Sequence, residues 1–420
     1  MKREKPDPRD IKVTVLLTLL VALGPLSTDL YLPSLPSLTS SFQTSVSQVQ
    51  ATMSVFIAGF AIATVIYGPL SDRFGRTRVL LGGMTVFLAG SIGCMAAHSI
   101  ESLIAWRFVQ AIGGCAGPVL VRAVVRDVYG RNEAARFLAY IASAMALAPA
   151  VAPMIGGWLH IYFGWRSHFV ALALLGGAFI FAILLLLRET NARPDPAATH
   201  LIRIVRNVGA MMRHPHFLAF SLTLTFSYGA LFSFISVGAF VVIDVLGVAP
   251  EQFGYLFFFV ALGYASGGLL SGRLVPRFGI VRLIQTGVLT GLTMGVIGLT
   301  LALADVQIVA AVAGPVIGVF FACGFVLPNS TAGALMPFSE FAGTASSAIS
   351  FLQMSGGALI GYGAGLLHNG TTAPLFVVIL VSWMCAATVF FTARRRKLIL
   401  LSDGAKNASE DQPHPAVSNR

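Results

Sequence analysis

The sequence predicts an all-α membrane protein with twelve transmembrane helices arranged as two six-helix repeats. Three observations support this: the composition, the recurrence of apolar segments and the placement of the basic residues. The chain has 420 residues, of which 56% are hydrophobic and 11% are charged. So few charged side chains could not cover the surface of a water-soluble protein, and we therefore expect lipid to be the main solvent.

Apolar segments of about 20 residues recur along the chain, and each is long enough for an α-helix to cross about 30 Å of hydrocarbon. A membrane β-barrel would instead show short segments of alternating polarity, whereas runs such as 179–187 are apolar on every side. The predicted spans are 12–33, 50–71, 79–97, 101–123, 134–158, 166–187, 215–243, 252–272, 282–303, 306–328, 342–367 and 372–392.

These spans divide the chain into five parts. We expect a cytoplasmic tail, a six-helix bundle, a cytoplasmic central loop, a second six-helix bundle and a second cytoplasmic tail at 1–11, 12–187, 188–214, 215–393 and 394–420.

An internal repeat relates the two halves. The stretch Gly-Pro-Leu-Ser-Asp-Arg-Phe-Gly at 68–75 is echoed by Gly-Arg-Leu-Val-Pro-Arg-Phe-Gly at 272–279, and each follows the second span of its half. Two parallel repeats of six helices are expected to place a substrate cavity at their interface, near the bilayer midplane.

The basic residues, which give a net charge of +11, lie in alternate loops. All lysines and arginines except Arg107 and Arg166 fall within 2–12, 73–78, 122–136, 188–213, 273–282 and 394–420. By the positive-inside rule both termini and the central loop are cytoplasmic, which requires an even number of spans. This placement argues against nucleic acid as a partner and for a lipid bilayer.

The residues needed for nucleotide-driven or metal chemistry are missing from the predicted spans. The lysines are Lys2, Lys5, Lys12, Lys397 and Lys406, so no phosphate-binding loop ending in lysine lies in the membrane body. The eight histidines form no metal-binding pair, and the four cysteines lie in apolar segments. We therefore expect no cofactor, no metal and no catalytic constellation, and any coupling must use an ion gradient.

Asp29 is the acidic residue placed well inside an apolar span. A charge at this depth costs at least about 2.5–3.5 kcal/mol, so a functional reason for keeping it is expected. Because removal from water disfavours a charged carboxylate, Asp29 can gain and lose a proton as its surroundings open and close. The alternative is a helix-end carboxylate wetted by solvent beyond the nearby Pro33.

Arg107 is the basic residue inside a span, about 9 Å along its helix from Glu101. It lies at a depth similar to that of Asp29, so the two side chains could meet. Such a pair would keep Asp29 ionised until a substrate or a proton disturbs it. A permanent salt bridge that only fixes helix packing is nearly as good an interpretation.

The loop between the second and third spans predicts a conformational latch. Its acid, Asp72, can accept hydrogen bonds from a helix N-terminus or from an arginine such as Arg126. A contact of this kind can hold one conformation and release in the other. The alternative is a basic anchor that only sets topology. The candidate latch residues are Gly68, Asp72, Arg73, Gly75, Arg76 and Arg126, and the two glycines allow a tight turn and close backbone approach.

The fifth span predicts a bent and tightly packed helix. Pro149 and Pro153 lie four residues apart on one face, and Gly156 and Gly157 follow. Each proline removes a backbone hydrogen bond, and paired glycines allow close helix contact. The alternative is the general enrichment of both residue types in membrane helices.

Aromatic and polar residues near the expected cavity suggest a site for neutral or weakly cationic amphiphiles, bound by burial and cation–π contact. Most phenylalanines in such a chain face lipid or neighbouring helices, so a single phenylalanine serves packing more often than it lines a site. The candidates are Tyr31, Tyr228, Phe232, Phe234, Asn329, Gln353 and Met354.

Four of these stretches resemble signatures of one known group of transporters. They are 29–36 (Asp-Leu-Tyr-Leu-Pro-Ser-Leu-Pro), the loop 68–78, 107–110 (Arg-Phe-Val-Gln) and 152–157 (Ala-Pro-Met-Ile-Gly-Gly). Over about residues 10–395 the chain resembles the bicyclomycin/florfenicol resistance (Bcr/CflA) group of drug:proton antiporters, in the major facilitator superfamily. The pair Arg126-Asp127 and the stretch Glu-Phe-Ala-Gly-Thr-Ala-Ser-Ser at 340–347 are also similar to the pattern of this group.

The resemblance implies roles for individual residues. Asp29 matches an acid implicated in proton and drug coupling, and Arg107 matches an arginine linked to proton transfer. The stretch 152–157 matches the fifth-helix antiporter signature, a sign of export by exchange. Ala111 and Ala152 stand where that group has glycine, and the second departure weakens the antiporter signature slightly.

The expected function is therefore proton-coupled export of small drug-like molecules, such as bicyclomycin- or phenicol-type antibiotics, across the bacterial inner membrane by alternating access. The alternative is a proton-coupled exporter or importer of metabolites or amino acids on the same fold, because a fold does not fix a substrate. We expect a monomer that is not an enzyme and whose partners are the small molecule, protons and lipid.

Overall fold

The computed structural model describes residues 10–191, 209, 211–396 and 398. Most of the predicted central loop and of both tails lies outside these residues. Within them the regular structure is helical, and the α-helices are α1 Ile11–Asp29, α2 Leu35–Phe42, α3 Val46–Phe74, α4 Arg76–Met95, α5 Ile100–Gly114, α6 Ala116–Phe163, α7 Arg166–Leu186, α8 Pro215–Ala239, α9 Pro250–Leu303, α10 Val309–Leu335, α11 Ala342–Leu367 and α12 Ala373–Arg395.

Short polar side chains begin several of these helices. The Asp10 carboxylate accepts a hydrogen bond from the backbone N–H of Lys12 at the start of α1. Ser45 and Ser99 cap α3 and α5 in the same manner. Such caps satisfy backbone donors that have no partner inside the helix. The first span is longer than predicted, because a 3₁₀ turn over Leu32–Ser34 carries the chain into α2.

Helix α6 contains the end of the predicted fourth span and all of the fifth. A Cβ placed on Gly117 or on Gly156 would strike the backbone of α1, at Leu20 and Leu30 respectively. These two contacts are about 15 Å apart along α1, whereas a straight helix would separate Gly117 and Gly156 by about 58 Å. The chain therefore reverses direction between the two glycines, as two separate spans require.

The internal repeat is visible in the backbone. Gly75 ends α3 with φ +97°, and Gly279, at the equivalent position of the second half, breaks α9 with φ +73°. Both conformations lie in the region that favours glycine. Helix α9, although continuous by hydrogen bonding over its 54 residues, therefore contains two of the predicted spans.

Nine helical segments of the described residues are long and apolar enough to cross a membrane, with the whole of α9 taken as one of them. Part of α6 and part of α11 have side chains outside the described set. The architecture agrees with the predicted all-α membrane fold, and the number of twelve spans stays a prediction.

The two halves form lobes, which we call the N-terminal lobe (α1–α7) and the C-terminal lobe (α8–α12). We call the end that carries the turns at Gly75 and Gly279 the basic end. The gate end is the opposite one, where α3 and α9 begin and α11 finishes.

The lobes meet closely at the gate end. Ser54 Oγ on α3 donates a hydrogen bond of 3.0 Å to the carbonyl oxygen of Ala358 on α11. On the other side, a Cβ on Gly157 of α6 would lie 2.8 Å from Glu251 Cα of α9, and a Cβ on Gly254 would lie 2.6 Å from Met154 Cα. Glycines on both partners thus let α6 and α9 touch backbone to backbone, which closes this end.

Candidate functional site

Arg107 lies at the centre of the N-terminal lobe and is fully buried. Its Nη1 donates to the carbonyl oxygen of Ser27 at 2.9 Å and to Gln110 Oε1 at 2.8 Å. Gln110 is fixed in turn, because its Nε2 donates to Ser91 Oγ at 2.9 Å. These contacts join α1, α4 and α5 around one cation.

Aromatic rings enclose the same guanidinium. Its central carbon lies 4.2 Å from the ring centre of Phe56, 5.0 Å from that of Tyr31 and 5.9 Å from that of Phe169. Cation–π attraction of this kind strengthens when water is absent. Arg107 Nε is a buried donor with no partner, so the cation is held mainly by carbonyl, amide and ring contacts.

Asp29 is the last residue of α1 and its side chain is buried, with 4% of its surface exposed. Its carboxylate accepts a hydrogen bond of 2.9 Å from Thr28 Oγ1. Tyr228 of the C-terminal lobe is close enough to interact electrostatically with this carboxylate. A lone acid therefore lies at the interface between the lobes, and the alternative of a carboxylate wetted at the helix end does not fit its burial.

Asp29 and Arg107 are not joined in an ion pair. The ion pairs within 4.0 Å in the described part of the chain are those of Arg76 with Asp72 and Asp127. Arg107 instead contacts the backbone of Ser27, two residues before the acid. In this conformation Arg107 is thus connected to the end of α1 that carries Asp29 and makes no direct salt bridge with the acid.

The predicted cavity residues fall into two groups. Tyr228, Gln353 and Met354 are half-buried and can face the space between the lobes. The others are buried inside a lobe: Tyr31 beside Arg107, Phe232 stacked on Tyr228, Phe234 among Phe257 and Phe320, and Asn329 bonded to Ser271 Oγ at 2.7 Å. The cavity lining stays a prediction.

The predicted latch centres on Arg76, which is 7% exposed. Its Nη1 lies 2.5 Å from Asp72 Oδ1 and donates to Ser71 Oγ at 2.6 Å, and its Nε donates to Asp127 Oδ2 at 3.1 Å. These groups come from α3, α4 and α6, so the contacts stay within the N-terminal lobe. The side chain of Arg126, the partner suggested for Asp72, lies outside the described residues.

The other latch residues occupy different surroundings. Arg73 lies with its guanidinium carbon 5.0 Å from the ring centre of Phe74. Gly75 forms the predicted tight turn at positive φ. Gly68 has no neighbouring atom within 4 Å of a Cβ placed there, so the predicted close approach at Gly68 is not made in this conformation.

Glu189, which sequence reasoning missed, completes the latch. Its carboxylate accepts from the backbone N–H groups of Arg76 at 2.8 Å and Thr77 at 3.3 Å, the first residues of α4. Asn191 Nδ2 then donates to the carbonyl oxygen of Asp72 at 2.9 Å. The carboxylate thereby caps α4 and stabilises its positive end. Sequence reasoning could not find this contact, because its partners Arg76 and Thr77 lie more than a hundred residues earlier in the chain.

The fifth-span motif forms part of the gate. Pro149 and Pro153 lie inside α6, which continues through them. Gly156 packs its backbone against Leu30 of α1, and Gly157 packs against Glu251 of the other lobe. The predicted close contact is present, and it joins the helix that carries Asp29 to the interface between the lobes.

Long apolar helices, two lobes that meet at one end and a buried acid between them define a multi-pass membrane transporter. A family model described as Major Facilitator Superfamily matches residues 17–361. The chain belongs to this superfamily, as its sequence predicted, and the predicted fold class is confirmed.

Similar proteins carry resistance names. Bicyclomycin resistance protein homolog of Haemophilus influenzae is 29% identical over 386 residues, 91% of this chain and 96% of the relative. Multidrug resistance protein D of Escherichia coli K12 is 26% identical over 395 residues, 92% of this chain and 98% of the relative. These names agree with the resemblance to the Bcr/CflA group.

The fold also matches solved structures. A bacterial homolog of the human lysosomal transporter Spinster, in an inward-facing and unoccupied conformation, superposes with a TM-score of 0.73 over 94% of this chain and 100% of that one. The sequences are 17% identical, so this likeness concerns the fold alone.

Proposed function

We propose that this chain is a proton-coupled exporter of small drug-like molecules in the bacterial inner membrane, acting as a monomer with both termini in the cytoplasm. The observation that carries the proposal is the buried carboxyl group of Asp29, next to the point where α6 contacts both Leu30 and the other lobe. The resistance names of the relatives support drugs as the substrate class.

The placement of the basic residues orients the molecule. If arginine-rich loops face the cytoplasm, the basic end is inside and the gate end is periplasmic. The close contacts at Gly157 and Gly254 then correspond to a state that is closed to the periplasm. Export requires the opposite rocking motion, in which α6 and α9 separate and the interface opens to the periplasm.

Asp29 couples the two fluxes by exchange. In the outward-open state the carboxylate takes a periplasmic proton, and its neutral form can be buried at lower cost when the gate closes. On the cytoplasmic side the drug binds as the proton leaves, and cation–π and apolar contacts with residues such as Tyr228 favour weakly cationic amphiphiles. One group thus serves the proton and the drug in turn.

Arg107 tunes this exchange through the backbone. Its bond to the carbonyl oxygen of Ser27 fixes the end of α1, and a shift of that end changes the surroundings of Asp29. The latch around Arg76 and Glu189 holds α3 and α4 together at the basic end, so the N-terminal lobe can rock as a unit.

The test compares drug tolerance of cells that express the wild type, Asp29→Asn or Asp244→Asn. Asp244 is an exposed acid in the π-helical segment Phe240–Val245 that follows α8, so its substitution is a matched control. We expect tolerance to bicyclomycin- or phenicol-type drugs in the wild type and the control, and loss in Asp29→Asn at equal membrane abundance. If cells with Asp29→Asn tolerate the drug as well as cells with the wild type, Asp29 is not part of the mechanism.

Transport of a metabolite or amino acid is the rival function on this fold. This rival would be favoured if cells that express the wild type take up or export a labelled metabolite or amino acid and show the same drug tolerance as cells without the protein.

A further inference from the structure

A groove between α1 and α7 crosses the outer surface of the N-terminal lobe. It is lined by one face of α1, from Ile11 to Leu19, and by one face of α7, from Leu175 to Leu186. Its volume is about 430 Å³, and every lining side chain except one is apolar. Because the groove opens on the outside of a lobe that lies in the membrane, hydrocarbon rather than water surrounds it.

Two small residues create the space. Ala178 and Ala182 lie four residues apart on the face of α7 that lines the groove. Leu16 of α1 and Phe179 of α7 are buried beneath it, each with 4% of its surface exposed. Walls on two helices surround an occupant on more than one side, and an unfilled groove would lose the van der Waals contacts of those walls.

The groove is one leaflet deep. It begins at the basic end, where α1 starts and where Glu189, just past α7, caps α4. From Ile11 to Leu19 is about 12 Å along α1, and from Leu175 to Leu186 is about 16 Å along α7. Half of the hydrocarbon core of a bilayer is about 15 Å thick. The groove thus reaches from the membrane surface to near the bilayer midplane.

Positive charge marks the basic end of the groove. Lys12 is its one polar lining residue and is exposed, and no carboxylate of the residues that the structure describes lies within 4.0 Å of its ammonium group. The nearby Asp10 carboxylate accepts from the backbone N–H of Lys12. At the same end, Nη1 of Arg188 is a buried donor without a hydrogen-bond partner. A lysine at the end of a membrane helix extends its ammonium to the level of the lipid headgroups, where an anion can pair with it.

The dimensions select a hydrocarbon chain as the occupant. A volume of about 430 Å³ spread over about 14 Å has a mean cross-section of roughly 30 Å². An α-helix with its side chains is about 10–12 Å across and needs roughly three times that area, so a helix of a second copy does not fit. The sequence before α1, residues 1–9, is charged at six positions and is too polar to enter the hydrocarbon region.

We propose that this groove binds one acyl chain of an anionic glycerophospholipid, whose phosphate pairs with Lys12. The chain lies between α1 and α7, and its end approaches the midplane beside Leu19 and Leu175. Apolar contact alone does not distinguish one lipid from another, since lipid tails are as apolar as leucine. The ammonium group supplies the preference for an anionic headgroup. In the orientation proposed above, this lipid belongs to the cytoplasmic leaflet.

A photoreactive lipid tests the site without drug or transport, so the outcome is independent of the proposed export. Wild-type protein in phosphatidylcholine nanodiscs receives a trace of phosphatidylglycerol that carries a diazirine in the middle of one acyl chain. After irradiation, mass spectrometry of peptides measures the labelling of 175–186 relative to that of 282–293. The second segment lies at a similar depth on α9 and exposes Thr286 and Leu289, so it reports ordinary boundary lipid.

We expect 175–186 to be labelled more strongly than 282–293. The matching phosphatidylcholine probe should label 175–186 about fivefold less, because one lysine at the membrane surface favours an anionic lipid by about that factor. Lys12→Gln should reduce this ratio between the two probes to less than about twofold. Arg78→Gln, at an exposed arginine in the first turn of α4, should leave the ratio unchanged.

Ala178→Leu fills the groove and leaves every charge in place. Labelling of 175–186 should then fall to the level of 282–293, whereas Ala105→Leu, at an exposed alanine of α5, should have no effect. Equal labelling of the two segments in the wild type, as expected if a second copy or another part of the chain covers the groove, would overturn the proposal. Equal labelling of 175–186 by the two probes, or labelling that Ala178→Leu does not reduce, would overturn it as well.

Discussion

Gly254→Ala is expected to open the gate end. A Cβ at this position would lie 2.6 Å from Met154 Cα and 2.8 Å from the Pro153 carbonyl oxygen. Both atoms belong to the backbone of α6, which cannot turn aside as a side chain can. Helices α6 and α9 must therefore separate by about 0.8 Å to reach an ordinary contact distance of about 3.4 Å.

The penalty falls on one conformation. Overpacking a well-packed contact by one methyl group costs about 1–3 kcal/mol. Because the contact joins the two lobes, the open-gate state does not pay this cost, and the ratio of open to closed gates should rise about 5–150-fold. Gly268→Ala is the matched control, since it lies on the same helix and has no atom within 4 Å of its Cβ.

The assay is the distance between spin labels at Gln48→Cys and Asn369→Cys in nanodiscs. Gly254→Ala should increase the long-distance population, while Gly268→Ala should resemble the parent protein within about twofold, because both changes affect helix propensity equally. Both variants must elute as folded monodisperse protein. A distance distribution for Gly254→Ala that matches the control would show that this glycine contact does not hold the gate closed.

Three further results are expected at the core and the latch. Arg107→Lys should lower drug export at least about tenfold at unchanged membrane abundance. An ammonium group cannot reproduce the planar guanidinium and loses charge-assisted hydrogen bonds worth about 1.5–3 kcal/mol. Export at the wild-type rate would refute this. Glu189→Gln should lower the unfolding midpoint slightly, since the negative charge of an exposed side chain at the N-terminus of α4 contributes about 0.3–1 kcal/mol, and an unchanged midpoint would show that this charge is not needed. Gly75→Ala should lower the free energy of unfolding by about 1–3 kcal/mol, because alanine is strained at this positive φ. Gly68→Ala should not destabilise the protein, since there is open space around that position. Equal unfolding midpoints for the two variants would contradict the turn at Gly75.

The sequence was sufficient for features that depend on composition and local pattern. Hydropathy located Asp29 and Arg107 within spans, and the sequence repeat aligned Gly75 with Gly279, two positions that share a positive φ in the structure. Lipid exposure selects long apolar runs so strongly that span positions can be read from one chain. The sequence also predicted separate fourth and fifth spans, whereas helical hydrogen bonding continues through α6 from Ala116 to Phe163.

Features that depend on contacts distant in sequence could not be predicted. Nothing near Glu189 indicates that it caps α4, and the pairing of Arg76 with Asp127 joins the first residue of α4 to α6. Burial on the inner face of a lobe cannot be distinguished from exposure to a cavity by residue type, so Phe234 and Asn329 were chosen on the same grounds as Tyr228. The similar depth of Asp29 and Arg107 in the membrane did not decide whether the two side chains pair. In the structure Arg107 donates to the carbonyl oxygen of Ser27 instead.

Proton movement in sealed vesicles tests the central claim most directly. Purified wild type or Asp29→Asn is reconstituted into proteoliposomes with a pH-sensitive dye inside, and a bicyclomycin- or phenicol-type drug gradient is imposed without a pH gradient. The exchange mechanism predicts drug-driven proton flux opposite to the drug in the wild type and none in Asp29→Asn. Drug flux without proton flux in the wild type, or equal proton flux in the variant, would contradict it.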